Sequence, residues 1–196
     1  MNTIAVDSTR DALIIVDVQN DFCPGGALAV PGGHEVVPFI NFLLQHCWLS
    51  VATKDWHPAE HCSFEPQGGP WPPHCVQHTS GAELHPELDA TKIQLVITKG
   101  SHPDKEAYSG FHGTELAKIL RQKGVKRVVL CGLATDYCVR ATAHDALQEG
   151  FEVVVLEDAI RGVEVNPGDC QRAIEELRQV GAQMVVSADL TFDEPR

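Results

Sequence analysis

The sequence predicts a doubly wound, three-layer α/β/α sandwich around a mostly parallel sheet of five to six strands. Short runs rich in Val, Ile and Leu alternate with segments of helical period, the order that βαβ units impose. Those runs are continuously apolar, as strands covered on both faces must be. The length of 196 residues suits a single domain spanning 1–196. A chain of that size hides roughly 70% of its unfolded surface and folds without a disulfide or metal staple.

Residues 12–18 (ALIIVDV) read as the first buried strand. Over 35–47, Val36, Phe39, Ile40, Leu43 and Leu44 form a helical stripe, with Pro38 in the first turn. Residues 48–53 are a second strand. The stretch 55–91 then breaks the rhythm: it is dense in Pro, Gly and His and shows no period. A connection that long marks a functional region. Residues 94–98 (QLVIT) are a third strand, and Leu116, Ile119 and Leu120 mark a helix ending near Gly124. A fourth strand at 127–131 (RVVLC) leads into a helix over about 136–149, closed by Gly150. Residues 152–156 (EVVVL) are a fifth strand, 170–180 a helix and 183–186 a last short strand. Residues 159–196 offer no candidate site residue.

Fifteen basic against 27 acidic residues give a net charge of −12, which argues against a nucleic-acid binder needing a positive footprint. The seven cysteines are odd in number, scattered and without a C-x-x-C pair. The apolar run at 12–16 is too short for a secretory signal, and no segment reaches the ~20 apolar residues of a membrane span. A reducing, cytoplasmic setting with free thiols is the expectation. The turn after the first strand, Asp17-Val18-Gln19-Asn20-Asp21, lacks G-x-G-x-x-G, and no G-x-x-x-x-G-K-[ST] occurs, so dinucleotide and nucleotide-phosphate sites lose their support.

Sites in open α/β sheets form beyond the carboxyl ends of the strands. Those ends carry Asp17, Asp55, Lys99 and the pair Asp136 and Cys138. With Thr135 or Asp136 as N-cap, Cys138 falls in the first helical turn, where free amides and the helix dipole favour a thiolate. A thiol pKa lowered from its usual value is therefore expected, with the same amides free to bind an oxyanion. Asp17 would exchange the thiol proton and Lys99 would hold both anions. The plainer alternatives are a packed structural cysteine and an Asp–Lys pair capping the sheet. Packing is the expected role of Cys47, Cys131 and Cys170.

The segments Lys54-Asp55-Trp56-His57-Pro58-Ala59-Glu60-His61-Cys62 and Pro72-Pro73-His74-Cys75 concentrate metal-competent groups. One Asp with two or three His suits a divalent first-row metal with open positions. Asp55 and His57, two apart, share a side of an extended segment. A closed zinc site on Cys62 and Cys75 and an unliganded histidine loop are the competing readings.

The pieces IIVDVQNDFCPGGALAV (14–30), TKDWHPAEHCSF (53–64), WPPHCVQHTSGAE (71–83), TKG (98–100), AYSGF (107–111) and CGLATDYCVRATAHDA (131–146) occur in one order along the chain. Together they resemble the nicotinamidase/pyrazinamidase branch of the isochorismatase-like cysteine hydrolases. The resemblance implies a catalytic triad of Asp17, Lys99 and Cys138, and an oxyanion hole from the Ala134 and Cys138 amides beside a cis Leu133–Ala134 peptide. It implies Asp55, His57 and His74 as ligands of one divalent metal, zinc foremost, with iron or manganese as variants. His61 matches a position that ligates metal in some members and not in others. Phe22 and Trp71 match ring-sandwiching walls, and Tyr108 the pocket mouth. The implied reaction is hydrolysis of nicotinamide to nicotinate and ammonia through a thioester, with pyrazinamide as a further substrate, in NAD salvage. Implied too are a small-molecule substrate, neither nucleic acid nor membrane as partner, and compatibility with a homo-oligomer. A cysteine amidase acting on a carbamoyl group, and a metal-binding or redox-sensing protein without catalysis, are the other classes weighed.

Overall fold

A computed structural model describes residues 3–46 and 48–192; Cys47, expected to be a packing thiol, lies outside them. Six strands form one all-parallel sheet: β2 (Asp11–Val16), β3 (Leu49–Asp55), β4 (Leu95–Lys99), β5 (Arg127–Leu133), β6 (Glu152–Arg161) and β7 (Gln183–Val185). Their spatial order is β4-β3-β2-β5-β6-β7. Two further strands, β1 (Ile4–Val6) and β8 (Leu190–Phe192), pair in parallel as a separate ribbon. At three residues each they are too short to carry a readable period.

Strand pleating divides the apolar side chains between two cores. Along β2, Leu13 and Ile15 enter one cluster while Ala12, Ile14 and Val16 enter the other. All five are fully buried. A buried Leu, Ile or Val contributes roughly 1.5–3 kcal/mol by leaving water, which explains the continuous apolar runs. On the first face, Ile40 and Leu43 of α1 (Val37–Leu43) pack on the sheet, and the long loop completes the layer with Cys75, Ala82 and Leu88. On the second face, α2 (Leu116–Gln122) supplies Leu116 and Leu120. There α3 (Arg140–Gln148) adds Ala143 and Ala146, and α4 (Asp169–Gln179) adds Leu177. The expected three-layer sandwich is the observed one.

Several boundaries differ for physical reasons. The first strand stops at Val16 because Asp17 has φ 48°, a left-handed conformation that no strand continues through. The helix expected over 35–47 splits into a 3₁₀ turn at Gly33–Val36 and the shorter α1, with Pro38 at its start. The segment Thr135–Val139 is a wide π turn capped by Ala134, ahead of α3. Neither Thr135 nor Asp136 is the N-cap. Among the described residues no helix is long and apolar enough to cross a membrane.

From β2 the chain proceeds outward through β3 to β4, then returns to β5 on the other side of β2 and continues to β6 and β7. The carboxyl ends of β2 and β5 therefore flank the point where the winding reverses, the place where such sheets open a crevice.

Candidate active site

Four strand ends meet at that crevice. Asp17 follows β2, Asp55 and Lys99 end β3 and β4 as register partners, and Cys138 sits in the turn after β5. All four are buried. Lys99 Nζ lies 2.9 Å from Asp17 Oδ2 and 3.5 Å from Cys138 Sγ, and donates to Ala107 O at 3.1 Å and to Asp55 Oδ1. Thr53 Oγ1 donates to Asp17 Oδ1 at 2.6 Å. Asp17 Oδ2 is buried without a hydrogen-bond donor of its own, although the ammonium stands beside it. One oxygen each of Asp17 and Asp55 lies within 4.8 Å of Cys138 Sγ. A buried carboxylate oxygen close to a thiol is what proton transfer from that thiol requires.

The charge state corrects one expectation. Burial pushes the Cys138 thiol well above its usual range; Lys99 opposes this, while the negative charges of Asp17 and Asp55 add to it. The thiol is therefore held protonated at rest, not depressed into a standing thiolate as the helix-turn argument expected. Burial also raises the Asp17 carboxyl, against the pull of Lys99 and the Thr53 hydrogen bond. Burial works to lower Lys99, but Asp17 and Asp55 outweigh it and hold the ammonium charged. Raised Asp17 and raised Cys138 are two groups that exchange one proton, with Lys99 as the fixed cation.

The metal-competent residues assemble as well. One donor atom each from Asp55, His57 and His74 lies within 4.8 Å of the others, and all three residues are buried. Donor atoms grouped within that limit are close enough to converge on one ion at bonds of ~2.1 Å. His57 Nδ1–H donates to Gly100 O at 2.9 Å and His74 Nδ1–H to Pro72 O at 2.8 Å, so each ring is oriented through Nδ1, and the Nε2 of His57 faces Asp55 Oδ2 at 3.4 Å. Gly100 has φ 62°, and a Cβ there would stand 2.5 Å from His57 Cε1, so glycine is required for the imidazole to seat. Burial raises Asp55, but Lys99 and His57 outweigh it and hold its carboxyl ionised, well below the ordinary range. A charged carboxylate and two oriented imidazoles, with further positions open, fit a divalent metal of the zinc type.

His61 stays outside this set. Its ring lies tilted against that of His57, 4.0 Å between centroids, but its Nδ1 pairs with Ser63 Oγ at 2.7 Å and its Nε2 with Lys105 O at 3.0 Å. Both nitrogens are engaged by protein. Among the described residues, Cys62 and Cys75 join no group of three donors, so the alternative closed zinc site does not form. Cys131 is a core thiol of β5, as expected. Cys170 is not in apolar surroundings: its thiol lies within 4.8 Å of carboxylate oxygens of Asp136 and Glu164.

Beside Cys138 is a small, partly open pocket. Phe22, Trp71 and Tyr108 line it, together with Asp55 and His74 of the metal set. Phe22 packs 5.5 Å from the His74 ring, and Trp71 Nε1 donates to Tyr108 OH at 3.0 Å. The Leu133–Ala134 peptide is cis. Among the described residues the Ala134 N–H has no hydrogen-bond acceptor, while Ala134 O takes the N–H groups of Tyr137 and Val139 at 3.1 and 3.0 Å.

Sequence patterns gave no signal for several contributors. Tyr137 closes the pocket edge-on against Trp71 at 5.1 Å. Val163 forms another wall, although residues 159–196 offered no candidate. Gln19, fully buried, accepts the Asp55 N–H at 2.8 Å and donates to Asp55 O at 2.8 Å and Ala82 O at 2.9 Å. A single side-chain amide thus fixes the backbone of a member of the metal-competent set. A polar Gln directly after a buried strand, inside DVQND, was the only available hint.

The isochorismatase domain matches residues 11–189. The chain is 45% identical to the nicotinamidase/pyrazinamidase of Mycobacterium tuberculosis (strain ATCC 25618 / H37Rv), covering 90% of this chain and 99% of that protein. Its structure is similar to that of PnC1 from L. infantum in complex with nicotinate: TM-score 0.93 and 42% identity over 97% of this chain and all of that one (100%). It is also similar to a pyrazinamidase of Pyrococcus horikoshii in complex with zinc, with TM-score 0.82 and 52% identity over 90% of this chain and 99% of that one.

Proposed function

The chain belongs to the isochorismatase family, and on that premise we infer that it is a nicotinamidase, an amide hydrolase that converts nicotinamide to nicotinate and ammonia. Its cofactor is a divalent metal of the zinc type. The observation that carries the catalytic reading is the meeting of Cys138, Asp17 and Lys99: Sγ lies 3.5 Å from an ammonium that also stands 2.9 Å from the Asp17 carboxylate.

In this reading Asp17 Oδ2 takes the Cys138 proton as Sγ forms its bond to the carboxamide carbon. The electron pair of the C=O bond moves onto oxygen, which the Ala134 and Cys138 N–H groups receive. Collapse of that intermediate expels the amide nitrogen, which leaves as ammonia with the proton from Asp17. Asp17 next takes a proton from water, whose oxygen attacks the thioester. The acid departs and the thiolate regains the proton. Lys99 holds the ammonium charge constant beside both anions throughout. Phe22 and Trp71 clamp the ring faces, with Tyr108 at the mouth. Asp55, His57 and His74 would hold the metal, which would supply Lewis acidity for orienting a ring amide beside Cys138.

Among the described residues the pocket walls include no lysine or arginine, and aromatic and aliphatic side chains suited to a flat ring make up most of them. We further read the chain as one domain whose 55–91 loop is the metal-binding region, and place it in the cytoplasm in NAD salvage. The six described cysteines are all free thiols, in keeping with a reducing compartment. The test is ammonia release by purified zinc-loaded protein from nicotinamide, pyrazinamide and an N-carbamoyl compound. Turnover of the two ring amides supports the reading. Turnover confined to the carbamoyl compound would replace it with another cysteine amidase.

A further inference from the structure

The loop after β6 is fastened to the turn that carries the nucleophile. Asp136, 5% exposed and two residues before Cys138, accepts the backbone N–H of Val163 at 2.9 Å and of Glu164 at 2.8 Å, one on each oxygen. Glu164, with φ 57°, passes the connection on: its own carboxylate accepts the N–H groups of Gly168 and Cys170 at the start of α4. Gly162 is pressed between these parts. A Cβ there would fall 2.9 Å from Asp136 Oδ1 and 3.3 Å from Thr135 Cβ, and would collide with Cys170 Sγ. The loop therefore has one tight seating, and it delivers the Val163 side chain to the pocket wall alongside Tyr137 and Cys138.

Neither Asp136 nor Val163 has a part in the bond-making steps above. Asp136 spends both oxygens on backbone amides, so it is no base, and Val163 has no polar atom. Their arrangement instead sets the room around the ring. From this geometry we propose that Val163 is a specificity-determining residue, limiting which ring-substituted pyridine carboxamides enter, and that Asp136 is the positioning residue that holds it there. The proposal rests on the nicotinamidase reading and adds its substrate range: the unsubstituted ring is admitted, and rings bearing a methyl group on the edge toward Val163 are refused. In a hydrophobic pocket one methyl-sized change is worth about tenfold or more in discrimination.

The experiment compares kcat/KM for nicotinamide, 5-methylnicotinamide and 6-methylnicotinamide in wild type, Val163→Ala, Val163→Leu and Asp136→Asn, all zinc-loaded. Val163→Ala should raise the ratio of kcat/KM for at least one methylated amide over nicotinamide by about tenfold, and Val163→Leu should lower that ratio. Asp136→Asn keeps one acceptor oxygen but turns an N–H toward a backbone N–H. It should raise KM for nicotinamide more than it lowers kcat and shift the ratio in the direction of Val163→Ala. Ratios unchanged in both Val163 variants would overturn the specificity role. A folded Asp136→Asn protein with lowered Tm but wild-type KM and ratio would overturn the positioning role. Wild type that releases no ammonia from nicotinamide would take down the underlying reading as well, and is seen before any variant is compared.

Discussion

Asp55 and Lys99 are register partners at the carboxyl ends of two adjacent parallel strands, and the Lys99 ammonium donates to the Asp55 carboxylate. The same ammonium stands 2.9 Å from Asp17. One buried cation therefore joins a residue of the metal set to the proposed proton carrier. Strand register produces this link, because the pairing sets the last residue of β3 opposite the last residue of β4.

Lys99→Met should be costly in two respects. It leaves two buried carboxylates without their cation, a change of the kind that costs about 3–5 kcal/mol; denaturant unfolding measures it. Lys99 has its proton affinity raised in the fold, with Asp17 and Asp55 overcoming burial. Its stabilisation is thus complete below the ordinary lysine range and lost only as pH rises through the higher folded value. The destabilisation should accordingly be constant across neutral pH. Ammonia release should fall to background in the same variant.

Thr53→Val tests the proton acceptor. The Thr53 hydroxyl hydrogen bond favours the Asp17 carboxylate, while burial favours its protonated form. Asp17 must be ionised to accept the thiol proton, so the acid limb of the kcat/KM profile should lie above the ordinary carboxylate range. Removing the hydroxyl should move that limb to higher pH and leave activity at the plateau less affected. A limb that stays in place, or moves down, would contradict the assignment of Asp17 as base.

The metal set is tested by zinc stoichiometry after dialysis and by chelator competition. His74→Ala should abolish stoichiometric binding, whereas His61→Gln should retain it, because both His61 nitrogens already have protein partners. Gln19→Ala touches no metal but frees both backbone groups of Asp55. Loss of such outer support costs about 10–100-fold in affinity, and that is the expected loss. Binding unchanged in Gln19→Ala would show that Asp55 is fixed by other contacts.

The strand ends were readable because each apolar run stops at a charged or reactive side chain, and a parallel sheet brings such ends to one rim. The Asp-His-His spacing was readable because metal ligands need few residue types in close order. The protonation of Cys138 was not, since the helix-turn argument counts amides and dipole but neither the burial of the thiol, which is the main cause, nor the two carboxylates beside it. Val163 escaped because its loop is seated on the pocket by hydrogen bonds from Val163 and Glu164 to Asp136, 27 and 28 positions earlier in sequence. Gln19 escaped because its role is to satisfy backbone groups of another strand, which leaves no periodic mark.

The central claim is that Cys138 is the nucleophile and carries the acyl group. Rapid acid quench of the zinc-loaded enzyme during nicotinamide turnover, followed by intact-mass and peptide analysis, reads it directly. The account predicts a nicotinoyl adduct on the peptide containing Cys138, absent from a Cys138→Ala protein that binds zinc normally but releases no ammonia. Undiminished ammonia release by Cys138→Ala would contradict it.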